Sequence, residues 1–352
     1  MNPKAILDQL IETVIAEGAS DLHLSEDRLP IIRASGFLVP LVRAKKFTKS
    51  EIEAVVEEML TANDKKEFEE KKDIDFAYSH ESARFRGNAF YSLGKICVAL
   101  RLIPKRIRSL EELNLPPILE MFAKKQQGFF LCVGPASQGK STTLATLLDM
   151  INSARMDHIV TIEDPVEYVF ESKKAIIDQR EVALDTADFH TALRNVFRQD
   201  VDVVMVGEMR DPETISTAVT AAETGHLVFS TLHTNTASQT IDRIIDSFPA
   251  GQQTQIRLQL AGSLTGIFSQ RLIPRISGGL IPAFELLINN NAVANLIRDK
   301  RTHEINSVIE TGSEEGMIDF NRSLADLVRK GEISVENAYL YSTNPKILEK
   351  IL

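Results

Sequence analysis

The sequence predicts an α/β protein with two domains, a small N-terminal α+β domain and a larger domain built on a parallel sheet. The chain has 352 residues, more than one hydrophobic core usually serves. From Gly128 onward, continuous apolar runs alternate with helical patterns, which is typical of a parallel sheet covered on both faces. One run leads directly into the motif Gly-x-x-x-x-Gly-Lys-Ser. We therefore expect domains at 1–103 and 128–290, a linker at 104–127 and a helical C-terminal region at 291–352.

The N-terminal domain begins with an amphipathic pattern. One helical face carries six apolar residues, Ile6, Leu7, Leu10, Ile11, Val14 and Ile15. Leu22 and Leu24 then alternate with Asp21 and His23, which predicts a half-buried strand. We interpret His23 as structural.

Further strands and one more helix complete this domain. Residues 31–42 are expected to form a hairpin that turns near Ser35 and Gly36. Thr48 and Glu51 have the spacing of a capping box and predict a helix that continues through Leu60. Later strands are marked by alternating apolar residues at Ile74, Phe76, Tyr78 and Phe85 and by residues 97–102. The prediction is an antiparallel sheet covered by helices.

Composition limits the classes of function. No apolar run reaches the ~18 residues of a membrane helix, and no apolar signal region opens the chain. The two cysteines, Cys97 and Cys132, lie in strand-like stretches without a Cys/His cluster, so we expect buried thiols of a cytoplasmic protein and no zinc. A net charge of −9 argues against a nucleic-acid partner, which usually needs a concentrated basic surface.

The motif at residues 134–141 predicts a phosphate-binding loop. It stands between the apolar run 129–133, which is typical of a buried strand, and a helical pattern that opens at Ser141. Backbone N–H groups of such a loop surround phosphate oxygens, and the helix dipole adds favourable potential. We expect nucleotide to bind at Gly134, Pro135, Ala136, Ser137, Gln138, Gly139, Lys140, Ser141 and Thr142. Lys140 would neutralise the β- and γ-phosphates of ATP, and Ser141 would offer its hydroxyl to Mg²⁺.

Acidic residues follow two of the predicted strands. Glu163 and Asp164 end the run 159–162, and Glu208 follows the run 203–206. In a parallel sheet the carboxyl ends of these strands lie on the same side as the phosphate loop. One acid could therefore orient the attacking water, and another could hold Mg²⁺. The alternative is that these acids only cap or solvate the strand ends. Two such acids beside a phosphate loop favour catalysis.

Histidines and arginines add further candidates. His226 and His233 bracket the apolar run 227–230, where a histidine can bind a phosphate or transmit its loss to the sheet, unless its role is structural. Three arginines on predicted N-terminal strands would matter if the site lies at a subunit boundary, namely Arg84, Arg86 and Arg101. Arg194, Arg198 and Arg210 lie near the second acidic strand and raise the same question.

Together these segments resemble the type IV pilus retraction ATPases of PilT type, within the secretion-ATPase superfamily. The similarity covers nearly the whole chain. It is carried by residues 19–25 and 84–90, by the "Asp box" at 162–167, the Walker B segment at 202–211 and the "His box" at 225–234. The family's usual loop reads GPTGSGKST, whereas this chain has Ala136, Ser137 and Gln138 in the middle. Ala294 replaces an arginine of the family's AIRNLI segment.

The resemblance implies a PAS-like N-terminal domain, a RecA-like ATPase core and a homohexamer. It implies that ATP lies between the domains, with arginines of the N-terminal domain completing the site. By this similarity Glu163 is the general base, and Glu208 is the Walker B acid that serves Mg²⁺ with Ser141. Gly207 stands where other phosphate-loop enzymes carry Asp. His226 would sense the γ-phosphate. The partner would be an inner-membrane pilus platform protein at the base of the pilus machine.

The sequence is also compatible with other functions. An accessory retraction ATPase or an assembly or secretion ATPase belongs to the same superfamily, although assembly ATPases usually have a longer N-terminal extension and many have a four-cysteine zinc site. A RecA-like nucleic-acid motor would need a basic surface along which a strand could bind. A nucleotide-binding scaffold without hydrolysis is opposed by the presence of Lys140, Ser141, Glu163 and Glu208.

Overall fold

The computed structural model describes residues 2–34, 36–81, 83–103 and 106–352. The chain divides into two compact units, Met1–Arg106 and Ile107–Leu352. Ser35 in the predicted hairpin turn and Pro104 at the predicted start of the linker lie outside the described residues.

The first unit is an antiparallel sheet with helices packed on one face. Its strands are β1 (Asp21–Ser25), β2 (Ile31–Ala34), β3 (Phe37–Pro40), β4 (Asp73–Ser79), β5 (Arg84–Ser92) and β6 (Lys95–Ile103), in the order β3-β2-β1-β6-β5-β4. All neighbours are antiparallel. The helices are α1 (Pro3–Ala16), α2 (Lys49–Met59) and α3 (Ala62–Lys71). Their apolar faces and one face of the sheet form a single core.

Most local predictions for this unit are confirmed. The hairpin pairs β2 with β3, and α2 begins with the expected capping box of Thr48 and Glu51. Two details were wrong. Ile15 is 40% exposed, because it lies outside the buried face of α1. That face consists of Leu7, Leu10, Ile11 and Val14. Asp21 is buried because β1 lies inside the sheet, where the carboxylate contacts Arg101 and Arg33.

The second unit is built on a seven-stranded sheet. Its strands are β7 (Gly128–Val133), β8 (His158–Glu163), β9 (Ile176–Glu181), β10 (Val203–Val206), β11 (Leu227–Leu232), β12 (Leu264–Pro274) and β13 (Leu280–Ile288). The order is β13-β12-β7-β11-β10-β8-β9, and only β13 runs antiparallel to its neighbour. The four predicted apolar runs are β7, β8, β10 and β11, and they form the parallel centre.

Helices cover both faces of this sheet and make up the C-terminal region. They are α4 (Glu120–Ala123), α5 (Lys140–Ala154), α6 (Phe189–Val196), α7 (Pro212–Glu223), α8 (Ala237–Asp246), α9 (Ala250–Ser263), α10 (Asn291–Arg298), α11 (Ile305–Thr311), α12 (Phe320–Arg329), α13 (Val335–Tyr341) and α14 (Pro345–Ile351). Among the described residues, no helix has the length and apolar character needed to cross a membrane.

The segment predicted as a linker contributes to the core of the second unit in its described part. From Ile107 onward, apolar residues of this segment pack against the parallel sheet, with Leu110, Leu115, Leu119 and Phe122 buried. The rings of Phe122 and Phe130 lie 4.4 Å apart between centroids. The prolines of the segment therefore shape a packed connection, with a short 3-10 turn at Pro117–Leu119 before α4.

Candidate nucleotide site

The phosphate loop connects β7 to α5 in a conformation that depends on glycine. Gly134 has φ 147° and Gly139 has φ 81°, both values that favour glycine, and Gly139 is the residue from which α5 begins. A Cβ on Gly134 would lie 2.3 Å from the carbonyl oxygen of Gln270. Glycine is therefore required on both conformational and steric grounds. The result is strand, loop and helix N-terminus in the order that forms an anion-binding site.

Lys140 lies against the loop that it follows. Lys140 is 7% exposed, and its Nζ donates to the carbonyl oxygens of Gly134 at 2.8 Å and Pro135 at 2.7 Å. Burial lowers the pKa of the ammonium, while Glu208 and Glu167 act in the opposite direction. Lys140 Nζ also lies 3.4 Å from His233 Nδ1. The cation is thus held where the loop would receive phosphate.

Glu208 and His233 meet beside Lys140. His233 Nε2 lies 3.3 Å from Glu208 Oε1, and Arg210 donates to Glu208 Oε2 at 2.8 Å. Burial alone would raise the pKa of Glu208, but the bond and charge of Arg210, with His233, lower it below the usual value. Glu208 is therefore ionised at neutral pH and can accept a hydrogen bond or bind a cation.

Glu163 occupies a different environment at the end of β8. The residue is 7% exposed, and its Oε1 accepts from Thr161 Oγ1 at 2.7 Å and Gln179 Nε2 at 3.1 Å. Its Oε2 accepts from the backbone N–H of Glu167 at 3.3 Å. Burial raises the pKa to about 7 against these hydrogen bonds. A carboxyl with such a pKa can take a proton near neutral pH.

Gly207 joins the strand ends that carry these acids. Its N–H donates to Ile162 O at 2.8 Å, and its carbonyl accepts from Thr231 Oγ1 at 2.6 Å. A Cβ at this position would lie 3.2 Å from Ile162 O and 3.4 Å from Glu163 Cα. A side chain such as Asp would therefore crowd the backbone oxygen of Ile162, which gives a physical reason for Gly before Glu208.

The expected position of His226 was wrong. His226 precedes β11, and Gly128 at the start of β7 donates to its carbonyl. The phosphate loop follows the far end of β7. Six residues of strand at ~3.3 Å each place His226 roughly 20 Å from that edge within the same chain. His233 follows β11 and is the histidine that the fold brings to Lys140.

The remaining candidates are placed as follows. Thr142 Oγ1 lies 2.8 Å from the Tyr168 hydroxyl, and Ser141 is half-buried in the first turn of α5. In the first unit Arg101 donates to Asp21 at 2.9 Å. Arg86 lies opposite Arg101 in the register of β5 and β6, and Arg84 begins β5. Whether these arginines complete a nucleotide site stays a prediction.

Sequence reasoning missed several residues that hold the site in place. Gln179 binds Glu163 from β9, a strand of the sheet edge whose sequence, IIDQRE, shows little apolar character. Gln270 on β12 is 3% exposed and accepts from Thr143 Oγ1 on α5 at 2.7 Å. Thr161 binds Glu163 from within β8, and only its polar character inside an apolar run could have identified it.

The model of the type II/IV secretion system protein family matches residues 3–322. The chain belongs to this family. The type IV pilus retractation ATPase PilT of Pseudomonas aeruginosa is 43% identical over 94% of this chain and 96% of its own length. The type IV pilus ATPase PilU of the same organism is 36% identical over 98% of this chain and 91% of its own.

A solved structure extends the comparison to the fold. The crystal structure of the pilus retraction motor PilT with bound ADP superposes with a TM-score of 0.91 at 42% identity. It covers 97% of this chain and 98% of that chain. The resemblance drawn from the motifs is confirmed, and the α/β class with a RecA-like core agrees with this match.

Proposed function

We propose that the protein is an ATP-hydrolysing motor that powers type IV pilus retraction. Lys140, Glu208 and His233 lie together at the end of the parallel sheet that carries the phosphate loop. Glu163 ends β8, which is separated from β11 by β10. This convergence is the observation that carries the proposal. The similarity to PilT over nearly the full length supports the retraction role.

The arrangement supports in-line attack of water on the γ-phosphorus of ATP, which breaks its bond to the β–γ bridging oxygen and releases ADP and phosphate. The N–H groups of the loop and Lys140 bind the β- and γ-phosphates and stabilise the charge that spreads over the transferred group. Glu163, with its pKa near 7, accepts the proton of the attacking water. Thr161 and Gln179 hold its Oε1 in place. His233 stands between Lys140 and Glu208, where loss of the γ-phosphate would change its hydrogen bonding.

Mg²⁺ is the expected cofactor, and its preferred ligands are present. This ion binds oxygen and usually takes only one or two protein ligands beside phosphate oxygens and water. Ser141 offers a hydroxyl in the first turn of α5, and Glu208 an ionised carboxylate. Bound there, the ion would neutralise charge that develops on the β- and γ-oxygens.

The larger assembly is also part of the proposal. A homohexamer would let each ATP close one domain pair and each product release open it, and a ring of such sites can do work on a central partner. We propose that this partner is an inner-membrane platform protein of the pilus and that the ring acts in the cytoplasm at the pilus base. We expect Arg84, Arg86 and Arg101 to take part in ATP binding.

An accessory retraction role is the second candidate, supported by the similarity to PilU over 98% of this chain. Deletion of the gene separates the possibilities. Abundant surface pili with lost twitching support the principal retraction motor, whereas retraction that continues at reduced force supports the accessory role. Cells without pili would contradict both. In vitro, phosphate release from ATP that requires Mg²⁺ supports the enzymatic proposal, and its absence in the intact oligomer would refute it.

A further inference from the structure

Strand β12 extends beyond the end of its parallel neighbour β7. It runs through Pro274, but its pairing with β7 ends at Ser269 and Val133. Beyond that point the phosphate loop lies beside β12. The backbone N–H of Leu272 donates to Gln138 Oε1 at 2.7 Å. The side-chain amide of Gln138 therefore pairs with a backbone N–H of β12 beyond the last residue that pairs with β7.

A second contact fastens the same loop residue. Gln270 Nε2 donates to the backbone oxygen of Gln138 at 2.8 Å, while Gln270 Oε1 accepts from Thr143 Oγ1. The buried amide of Gln270 thus links the loop, α5 and β12. The fit is close, because a Cβ on Gly139 would lie 2.9 Å from Gln270 Nε2.

The residue before Gln138 has an unfavourable backbone conformation. Ser137 has φ 60°, in the left-handed region where a non-glycine residue is disfavoured. The usual family sequence has glycine at this position and serine at the next. Serine in place of Gln138 would be too short to reach Leu272 N. The chain therefore combines a disfavoured residue with a neighbour whose length allows a compensating contact.

We propose that Gln138 is a positioning residue that fastens the phosphate loop to β12 and offsets the left-handed conformation of Ser137. The proposal rests on the proposed function, because it concerns how the ATP site is kept in its binding conformation. Gln138 acts through the loop backbone: its Oε1 is engaged by Leu272, and its Nε2 lies 3.4 Å from Ala136 O. The loop is then ordered before nucleotide arrives, so less conformational entropy is lost on binding.

The test replaces the amide while keeping the length of the side chain. In the intact oligomer, Gln138→Met should accelerate dissociation of fluorescent ADP about five- to tenfold, the effect of one hydrogen bond. The KM for ATP should rise with it. The unfolding temperature without nucleotide should stay within about 3 °C of the native protein, since a single part-buried contact is lost. Gln252→Met, on an exposed position of α9, is the matched control and should leave all three quantities unchanged.

The native conformation of Ser137 supplies the second arm of the test. In a Ser137→Gly background, Gln138→Met should accelerate ADP dissociation by less than about twofold, because the two residues act on the same loop. Equal acceleration in both backgrounds would refute the compensation. Unchanged ADP dissociation in both Gln138→Met and Gln138→Ser, with normal ATP turnover in the native protein, would refute the positioning role. Failure of the native protein to bind ADP would instead refute the proposed function.

Discussion

The two units place charged residues on their sheets in opposite ways. In the parallel sheet, the strands β7, β10 and β11 are buried along their length, and the polar residues Glu208 and His233 follow the strand ends. In the antiparallel sheet, Arg33, Arg86 and Arg101 lie within strands, at the less buried positions of an alternating pattern. When helices cover both faces of a parallel sheet, polar side chains that react with a ligand can lie only at the ends of the strands. An antiparallel sheet that is covered on one face has its other face available.

A row of register partners shows this difference directly. Arg33, Asp21, Arg101 and Arg86 are successive partners across β2, β1, β6 and β5. Asp21 contacts two of the arginines, at 2.9 Å for Arg101 and 3.9 Å for Arg33. Arg86 lies directly opposite Arg101, and like charges in that position destabilise a sheet. The position of Arg86 therefore does not stabilise this unit, so a role in function is the better explanation for it.

The largest expected effect concerns the edge of the parallel sheet. Glu163→Gln should lower kcat at least about 100-fold, because a general base contributes 10²–10⁴. Nucleotide affinity should remain within a few-fold, since the phosphate loop is unaltered. Steady-state phosphate release and ADP titration measure the two quantities. Glu171→Gln, an exposed glutamate after the Asp box, serves as control. Turnover equal to the native rate would remove Glu163 from the base role.

The second effect concerns the face of the antiparallel sheet. Arg86→Gln should lower ATP turnover about tenfold or more, as expected if an arginine stabilises the transferred charge. The unfolding temperature should be unchanged or higher, because the repulsion with Arg101 is relieved. Arg33→Gln, at the far end of the same row, is the control. A loss of stability without loss of turnover would indicate a structural role for Arg86.

How far the sequence could predict these two regions depends on strand type. Continuous apolar runs identified β7, β8, β10 and β11, since burial on both faces leaves a strong signal. The same reasoning missed β9, an edge strand, and with it Gln179. The loop contacts of Gln138 depend on β12, which is distant in sequence and had no motif. The wrong position of His226 follows from strand direction, because only residues after a parallel strand reach the loop edge.

A smaller effect concerns a second buried carboxyl. Glu285 on β13 accepts from Ala237 N at 2.7 Å, and burial raises its pKa to about 7. Between pH 4.5 and 7 the folded state holds a proton that the unfolded state has lost, so this group makes stability fall as pH rises. Glu285→Gln removes that dependence. The variant should gain stability relative to the native protein between pH 5 and 8, by at most about 3 kcal/mol.

Thermal unfolding at several pH values measures this difference. Asp242→Asn, on α8 and facing Thr302, is a carboxyl control in the same unit. A stability difference that does not change with pH would show that Glu285 keeps the same charge in both states.

The smallest effect tests the charged row. Asp21→Asn should destabilise the first unit by about 1–2 kcal/mol, because Arg101 and Arg33 lose a partly buried anion. Hydrogen exchange should increase in β1 and β6 and stay unchanged in β7 and β11. Asp75→Asn, on an exposed position of β4, provides the comparison. Faster exchange throughout both units would contradict a local role for the row.

The pH dependence of kcat/KM for ATP tests most directly whether the buried carboxyl of Glu163 activates water, because this ratio reports the ionisation of the free enzyme. With the pKa of Glu163 at about 7 in the free protein, kcat/KM should rise roughly tenfold per pH unit below that value and level off above it. The rise should persist in Glu285→Gln and disappear in Glu163→Gln. A native profile that is flat between pH 5.5 and 8, or a rise that survives in Glu163→Gln, would contradict the account.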